Sequence, residues 1–309
     1  MKSENTAIRN QRRVDGLVLL DKPSGLTSNN ALQNVRRLYH ARKAGHAGSL
    51  DPLASGLLPI CLGEATKLLG FLLQADKSYR FTCRLGVTTT TGDAEGAVVQ
   101  TRPVGKLERT EAVIVLQRFM GEIWQIPPMY SALKQGGQRL YRLARQGIEV
   151  ERRPRQVYVR QLRLLSLEGD RLTCDIQCSK GTYIRVLAED VGEALGCGAH
   201  IVALRRTGVA PYDAAQMVTL QTLAESAQQG IAAVDELLLP MDTVLATWPA
   251  VQLGEDAACC LAMGQAVLAP QAPTQGWVRL YEQRRERFLG IGEILADGRV
   301  APRRLITSG

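Results

Sequence analysis

The order in which strand-like and helix-like segments follow one another is the strongest constraint on what this chain can fold into. Apolar and polar residues alternate over 78–85, which is typical of a half-buried strand. Other strands are predicted near 16–20, 57–62, 157–165, 171–178 and 201–206, and helices near 28–38, 64–73, 110–121 and 183–195. Because strands and helices do not alternate strictly, we expect an α+β fold whose central sheet is mixed and largely antiparallel, with flanking helices.

Two predicted helix ends carry local signals. Ser28 precedes the first apolar positions of one helix and is expected to cap it, because a serine hydroxyl can accept a backbone N–H. Gly121 follows the helix that starts near Thr110 and is expected to end it, because glycine readily adopts the left-handed conformation of a helix end.

The chain divides into two parts at the level of its sequence. Its 309 residues are enough for about two domains, and a content of 45% hydrophobic and 22% charged residues is typical of globular proteins. After Pro249 the sequence is rich in short strands and turns. We therefore predict a larger domain over 1–249 and a small β-rich domain over 250–309.

Neither the start of the chain nor its longest uncharged stretch indicates a membrane. The first residues lack the apolar core of a signal peptide, and the uncharged stretch 257–278 is interrupted by Pro270 and Pro273. The seven cysteines are an odd number, which favours reduced thiols over a disulfide framework. We therefore expect a cytoplasmic protein that has no membrane partner.

One group of cysteine and histidine residues resembles a metal site. Cys174 and Cys178 are followed by Cys197 and His200. However, residues 172–178 alternate like a strand, so the first two thiols would lie roughly 13 Å apart, whereas two thiolates on one zinc ion lie about 4 Å apart. We predict no metal ion and interpret these cysteines as small core residues.

Basic residues are concentrated in one segment of the chain. Lysine and arginine exceed the acids by 38 to 30, a net charge of +8 that favours a polyanionic partner. Residues 134–163 hold nine basic and two acidic residues, whereas 207–278 holds seven acids and no lysine or arginine. We predict a basic insertion over about 127–155, with a short helix near 138–146, that contacts phosphates. A merely solvated surface is the alternative.

The segment 43–58 is the best candidate for a catalytic loop. It joins a predicted helix to a buried strand, contains three glycines, and carries His46 and Asp51. Catalytic groups commonly lie on such loops. The alternative, in which Asp51 only caps a turn before Pro52, stays open at this point. The sequence has none of the common motifs for ATP, dinucleotides, zinc proteases or serine hydrolases.

Six further motifs occur in a consistent order along the chain. They are 21–28 (DKPSGLTS), 45–52 (GHAGSLDP), 62–67 (LGEATK), 76–79 (DKSY), 181–185 (GTYIR) and 204–206 (LRR). Together they resemble the TruB family of bacterial tRNA pseudouridine-55 synthases, over about residues 14–207 and more loosely to the end. Asn30 departs from the acid that relatives often carry. The resemblance implies the pseudouridine synthase fold, followed by a PUA-like RNA-binding domain over 250–309.

The resemblance also implies a reaction and a set of site residues. In uridine 55 of the T-loop of tRNA, the bond between uracil and C1′ would break, and uracil would be rejoined to C1′ through its C5. No atom is gained or lost, so no cofactor is required. Asp51 would be the nucleophile, Arg185 its partner and Tyr79 the ring that stacks on the base. Substrate contacts would come from Lys22 at the rim of the pocket, from His46, and from Tyr183 and Leu204. The family further implies a monomer that binds the T-arm and T-loop of tRNA.

Two interpretations remain, and they assign the protein to different functional classes. The first is a tRNA pseudouridine synthase, and the second is a catalytically silent RNA-binding or RNA-folding protein of the same fold. Asp51, Tyr79 and Arg185 are all present, which favours the enzyme. An RNA methyltransferase is disfavoured because the sequence has no glycine-rich cofactor loop.

Overall fold

The computed structural model describes residues 11–131 and 133–307. The outer ends of the two predicted domains, 1–10 and 308–309, lie outside the described residues, as does residue 132 of the predicted insertion. Within the described ranges, no helix has the length and apolar content needed to cross a bilayer.

Strands account for most of the regular structure. In chain order they are β1 (Gly16–Lys22), β2 (Ala44–His46), β3 (Ser55–Leu62), β4 (Lys77–Leu85), β5 (Val87–Thr89), β6 (Val98–Thr101), β7 (Gly121–Gln125), β8 (Lys134–Gln135), β9 (Gln138–Arg139), β10 (Arg155–Glu168), β11 (Arg171–Cys178), β12 (Ala199–Val209), β13 (Tyr212–Asp213), β14 (Val218–Thr219), β15 (Ala250–Leu253), β16 (Gly276–Glu282), β17 (Arg287–Ile294) and β18 (Val300–Leu305).

The central sheet contains ten of the strands in the described chain, in the order β14–β1–β3–β12–β4–β11–β10–β7, with β2 paired to β3 and β13 to β12. β1 with β14 and β3 with β12 are parallel, and the other pairs described in this sheet are antiparallel. The predicted mixed, largely antiparallel sheet is therefore confirmed. The site described below lies at the parallel junction of β3 and β12.

Helices pack on this sheet and form two core clusters with it. The helices are α1 (Ser28–Leu38), α2 (Leu69–Gln74), α3 (Arg109–Gln117), α4 (Leu140–Arg145), α5 (Ile184–Ala194), α6 (Leu220–Gln229), α7 (Ile231–Asp235) and α8 (Glu255–Ala262). α3 and α5 bury Leu116 and Leu187 against Phe81 of β4. α1 and α6 bury Leu32 and Leu223 against β1 and β3. The apolar faces of these helices therefore fix their positions on the sheet.

The C-terminal strands form a second, four-stranded sheet in the order β15–β16–β17–β18. Ile291 of this sheet is fully buried in one cluster with Leu17 and Leu57, on the other face of β1 and β3. At the same junction the ring of Trp248 lies 5.1 Å from that of Phe71 and 5.7 Å from that of Trp277. The β-rich C-terminal part is therefore packed onto the central sheet through apolar side chains.

Three local predictions differ from the structure. α1 is capped by Thr27, whose side chain accepts the N–H of Asn30 at 3.1 Å, and not by Ser28. α3 ends at Gln117, and Gly121, with φ of +80°, opens β7. The segment predicted as one helix over 64–73 is a 3₁₀ helix, Gly63–Leu68, followed by α2. Serine and glycine suit several kinds of turn and cap, so the sequence alone did not fix the roles of Ser28 and Gly121.

Candidate active site

The loop that carries Asp51 is held by the turn that follows β1. The hydroxyl of Ser28 donates to the carbonyl oxygen of Leu50 at 3.0 Å and accepts the N–H of the same residue at 2.7 Å. The N–H of Gly25 donates to the carbonyl oxygen of Pro52 at 2.8 Å. Two of the sequence motifs therefore meet in space, and the first positions the backbone on both sides of Asp51.

Gly56 allows β3 to approach β12 closely. Its φ is +100°, and a Cβ at this position would overlap the backbone carbonyl of Arg206. Here β3 and β12 run parallel, with Gly56 paired to Arg206. Because only glycine has neither a Cβ nor a preference against this φ, the position requires glycine. The loop that ends at β3 is thereby held next to β12.

Asp51 forms an ion pair with Arg185. The Nε atom of Arg185 lies 3.0 Å from Oδ2 of Asp51. The arginine side chain is 8% exposed, and the aspartate side chain is 41% exposed. Two further guanidinium nitrogens donate to the carbonyl oxygens of Thr91 and Tyr130, each at 2.8 Å. The guanidinium is therefore fixed on several sides, and it presents one edge to a carboxylate that remains accessible from the solvent.

A second carboxylate, Asp93, contacts the same guanidinium and was not found from the sequence. Its Oδ2 lies 3.5 Å from Nη1 of Arg185, and its side chain is 4% exposed. Oδ1 accepts the hydroxyl of Thr91 at 2.5 Å and the N–H of Glu95 at 3.1 Å. The only sequence signal was an aspartate in the threonine- and glycine-rich segment 88–96. Asp93 adds to the network that fixes Arg185.

Opposing effects act on the ionisation of Asp51. Burial raises the pKa of Asp51 above its usual range, and the neighbouring Asp93 adds to this. Arg185 and Lys22 lower the pKa of Asp51. Burial disfavours the charged form of a carboxyl, whereas a nearby cation favours it. The arginine therefore sustains the carboxylate in a site that would otherwise favour the neutral acid.

Tyr79 lies on β4 directly opposite Arg206 of β12. Arg206 is 1% exposed, and its guanidinium donates to the carbonyl oxygens of Leu57 at 2.6 Å and Gly48 at 3.1 Å. Burial raises the pKa of the Tyr79 phenol, and the Arg206 guanidinium opposes this rise. Arg206 therefore links the loop, β3 and the tyrosine. Arg206 belongs to the motif 204–206, but no role at the site was predicted for it from the sequence.

Six of the seven predicted site residues line one cavity of ≈ 430 Å³, a volume within the range of small-ligand sites. They are His46, Asp51, Tyr79, Tyr183, Arg185 and Leu204. The side chains come from the loop before β3, from β4, from the start of α5 and from β12. The cavity therefore brings together residues that are far apart in sequence.

Lys22, the seventh predicted residue, is not at the rim of the cavity, so that placement was wrong. It is fully buried at the end of β1, where its Nζ donates to the carbonyl oxygens of Pro23 at 2.9 Å and Leu26 at 2.6 Å. Burial lowers the pKa of Lys22 to about 8. The lysine closes the turn that follows β1 and lowers the pKa of Asp51 through its charge.

The basic insertion contributes to a second cavity of ≈ 620 Å³ that adjoins the first. Asp51 and Arg185 line both cavities. On the side of the insertion the wall is formed by arginines near α4, namely Arg139, Arg142 and Arg145. The predicted helix is present as Leu140–Arg145. Cationic side chains therefore line this second cavity, which we call the entrance to the Asp51 site.

His46 lies where the two cavities meet. Burial lowers the pKa of its imidazole, and Arg206 and Arg139 add to the effect. Its buried Nδ1 has no hydrogen-bond partner among the residues that the structure describes. The imidazole is therefore a neutral group with an unused polar atom, which suits contact with a ligand better than a charge-dependent role.

The cysteines of the central sheet are core residues. Cys174 and Cys178 are both buried, on a strand that packs between β4 and β10. Burial raises the pKa of the Cys178 thiol to about 11. Across residues 11–131 and 133–307, His, Cys, Asp and Glu side chains form no group of three or more that could hold a metal ion.

Comparison with known proteins gives matches along nearly the whole chain. The sequence model of the TruB family pseudouridylate synthase N-terminal domain matches residues 36–184, and two C-terminal models, of tRNA pseudouridylate synthase B and of pseudouridine synthase II TruB, match 185–246 and 249–306. The chain is 57% identical over 306 residues to tRNA pseudouridine synthase B of Nitrosococcus oceani, which covers 97% of this chain and 99% of that one. It is 56% identical over 297 residues to the Coxiella burnetii protein of the same name, covering 96% of each chain.

Solved structures share the fold. A crystal structure of a Cbf5–Nop10–Gar1 complex matches with a TM-score of 0.70 and 26% identity, over 94% of this chain and 80% of that one. The structure of an H/ACA RNP bound to a substrate RNA containing 2′-deoxyuridine matches in fold with a TM-score of 0.72 and 22% identity, over 99% of this chain and 87% of that one. The predicted fold class is therefore confirmed. With more than half of its residues identical to relatives that it matches from end to end, this chain belongs to the TruB family of pseudouridylate synthases.

Proposed function

We propose that this chain isomerises uridine 55 in the T-loop of tRNA to pseudouridine, with Asp51 as the nucleophile. The curated relatives named tRNA pseudouridine synthase B support both the isomerase activity and the tRNA substrate. The observation that carries the role of Asp51 is its ion pair with Arg185 at 3.0 Å on the wall of a ≈ 430 Å³ cavity. Carboxylates act as covalent nucleophiles in enzymes when they are kept ionised.

The net reaction balances without a further reactant. The bond between C1′ and N1 of uracil breaks, a bond between C1′ and C5 forms, and the proton that leaves C5 is matched by the one that N1 gains. No electron acceptor or group donor enters this balance, so we propose a reaction that uses no cofactor. The chain must supply a nucleophile, hold the detached base in the cavity and allow the base to turn.

Tyr79 and Leu204 are proposed to hold the base during this turn. Both line the cavity beside Asp51. An aromatic ring binds a nucleobase by stacking, which is worth about 1–3 kcal/mol per base, and this contact does not depend on which edge of the base faces the sugar. The raised pKa of Tyr79 keeps its phenol protonated near neutral pH, so the ring can act as a neutral stacking partner.

The substrate base must leave its stack before it can enter the cavity, and this costs a few kcal/mol. Arg139, Arg142 and Arg145 of the basic insertion face the entrance and can offset the cost through phosphate contacts. We propose that His46, between the two cavities, contacts the RNA next to the extruded uridine, and that Tyr183 closes the cavity wall. Lys22 is proposed to hold the loop rather than to touch RNA.

We also propose that residues 1–249 form the catalytic domain, that 250–309 act as a PUA-like RNA-binding domain, and that the protein is a cytoplasmic monomer. The four-stranded sheet and the family model over 249–306 support the second domain. Limited proteolysis and analytical ultracentrifugation test the boundary and the oligomeric state. A cleavage site far from 249, or a stable dimer, would contradict these assignments.

A T-loop transcript incubated with purified protein and no additive tests the function. We expect pseudouridine at position 55, detected by primer extension after a chemical derivatisation that is specific for pseudouridine. If the protein binds the transcript tightly but forms no pseudouridine, the silent RNA-binding interpretation replaces the enzyme. A transcript in which cytidine replaces uridine 55 is the matched control.

A further inference from the structure

Gln125 is a buried polar residue at the edge of the site to which the proposed mechanism gives no role. It is the last residue of β7 and is 2% exposed. Its side-chain nitrogen donates to the carbonyl oxygen of Tyr183 at 3.2 Å, and its side-chain oxygen accepts the N–H of Tyr183 at 3.0 Å. One side chain therefore binds both polar backbone groups of one residue.

Tyr183 occupies a position on which two site groups depend. It is the cap residue of α5 and has no hydrogen bond of its own side chain to the helix start. Its carbonyl oxygen also accepts the first helical hydrogen bond, from Leu187 at 3.1 Å. Its ring lines the cavity, and Arg185 is the second residue of the helix. The position of Tyr183 therefore sets where α5 begins and where both side chains point.

The segment from Gln125 to Tyr130 contacts the start of α5 through both of its end residues. Its first residue binds the backbone of Tyr183, and the carbonyl oxygen of Tyr130 accepts Nη2 of Arg185 at 2.8 Å. Pro127 and Pro128 lie between them and restrict the backbone. Both ends of a stiff segment thus contact the first turn of the helix, and most of the segment belongs to the start of the basic insertion.

We propose that Gln125 is a positioning residue for catalysis, which fixes Tyr183 and Arg185 against Asp51 by binding the backbone at the start of α5. This inference rests on the proposed roles of Asp51 and Arg185. Removing the amide would leave the N–H of Tyr183 without its partner, and the first turn of α5 could then shift. A shift of about 1 Å in a positioned group can slow an enzyme on the order of 100-fold.

Gln125→Met removes both hydrogen bonds at similar side-chain volume, and Gln125→Glu keeps the oxygen that accepts the N–H of Tyr183. Gln156→Met is the matched control, because Gln156 lies exposed on the neighbouring strand and its side chain donates to that of Glu122. We expect the single-turnover rate of Gln125→Met to fall on the order of 100-fold with unchanged tRNA affinity. Gln125→Glu should be intermediate, and the control should match the unaltered protein.

The pH profile separates positioning from a loss of folded protein. The charged and titratable groups that interact electrostatically with Asp51 are Arg185, Asp93, Lys22, Glu95, Tyr79 and Tyr183. The imidazole of His46 lines both cavities with Asp51. If Arg185 withdraws, the carboxylate loses its main cationic partner, so the acidic limb of the rate profile should move to higher pH. Partial unfolding would instead lower the rate equally at every pH.

An unchanged rate in Gln125→Met, or a slower rate with an unmoved acidic limb, would overturn the inference. If Gln125→Met does not fold, Gln125→Glu carries the same measurements. Inactivity of the unaltered protein would instead defeat the proposed function, and the inference with it. Activity of that protein together with a fully active Gln125→Met defeats the inference alone.

Discussion

At the scale of single residues, the site depends on the carboxylate of Asp51, whose neighbours have opposite effects on its pKa. Burial and Asp93 favour the neutral acid at Asp51, whereas Arg185 and Lys22 favour the anion. The arginine itself is held by backbone carbonyl oxygens and by Asp93. Its position is therefore set by the protein before RNA binds, which is the condition for electrostatic preorganisation.

Replacing Asp51 should abolish the formation of pseudouridine without weakening the binding of tRNA. Asp51→Asn keeps the size of the side chain but removes its negative charge and its nucleophilic oxygen, so we expect no detectable pseudouridine and tRNA affinity within about threefold of the unaltered protein. Asp297→Asn, at an exposed turn of the C-terminal sheet, is the control and should remain active. Measurable turnover by Asp51→Asn would show that another carboxylate is the nucleophile.

The rate should fall on the acidic side at a pH above the ordinary range of aspartate. The reactive form of Asp51 is the anion, and burial raises its pKa, so activity is lost as the pH falls through this raised value. The usual aspartate pKa is about 3.9. Single-turnover rates measured between pH 4 and 8 test the position of this limb. A rate that stays constant down to pH 4 would contradict the dominance of burial.

The sequence located most site residues but could not describe their contacts. Asp51, Tyr79 and Arg185 were found from motifs, and the structure brings them to one cavity; their roles remain predictions. Lys22 was placed at the rim on the resemblance to the family alone, yet carbonyl oxygens of its own turn bind it in the interior. Asp93 was missed because its partner is 92 residues away in the sequence.

At the scale of elements, the junction of β3 and β12 is the part of the sheet most sensitive to substitution. Gly56→Ala would add a methyl group against the backbone carbonyl of Arg206 at a φ of +100°. We expect the free energy of unfolding in urea to fall by about 1–3 kcal/mol from the backbone conformation alone. Gly70→Ala, in α2 with open space around it, should instead stabilise by about 0.5–1 kcal/mol. Equal effects of the two substitutions would contradict this view of Gly56.

The basic insertion should determine how binding depends on salt. Replacing Arg139, Arg142 and Arg145 with glutamine removes cations at the entrance. If each one contacts a phosphate, the slope of log K against log salt should become shallower by roughly 2 to 3 in total. Binding measured by filter retention between 50 and 300 mM salt, a range of about sixfold, tests this.

The control for the insertion lies on the other face of the sheet. Arg80, Arg84 and Arg163 each pair with Asp175 or Asp170, and Arg80 and Arg84 alternate along β4 with the cavity-facing Tyr79. Their replacement by glutamine should leave the salt slope unchanged. If both sets change the slope equally, the insertion has no special part in binding.

The positions of strands were easier to predict than the roles of single turn residues. Periodicity located the six longest strands of the central sheet, β1, β3, β4, β10, β11 and β12, to within a few residues, because each carries a buried face. The short strands β2, β7, β13 and β14 were not predicted. Ser28 and Gly121 were misassigned since a serine or a glycine suits several kinds of turn. Ser28 in fact binds Leu50, which follows it by 22 residues, and only the folded chain reveals that contact.

At the scale of the whole molecule, the central and C-terminal sheets meet at an aromatic cluster formed by Phe71, Trp248 and Trp277. The chain pattern predicted a β-rich C-terminal part, but it gave no sign of how the two sheets pack. The rings come from three separate segments. Their edge-to-face and tilted contacts are worth about 0.5–1.5 kcal/mol for each pair beyond the buried area.

Trp248→Ala should loosen this junction. It removes two ring contacts, so we expect the free energy of unfolding of the C-terminal sheet to fall by about 1–3 kcal/mol. The C-terminal sheet should then unfold at a lower urea concentration than the central sheet. Hydrogen exchange of β16 and β17, compared with β3 and β4, measures the difference. Trp124→Ala, at a tryptophan that is 67% exposed, should leave both sheets unchanged. A single shared transition in Trp248→Ala would show that other contacts hold the sheets together.

The chain segments at the two edges of the central sheet differ in their charged residues. The basic insertion leaves β7 at one edge, whereas β14, α6 and α7 at the other edge belong to the segment that has seven acids and no lysine or arginine. Such a separation gives the molecule an electric dipole along its sheet. We expect an approaching nucleic acid to exert a torque on this dipole and to orient the protein before contact, with the basic insertion towards the incoming strand.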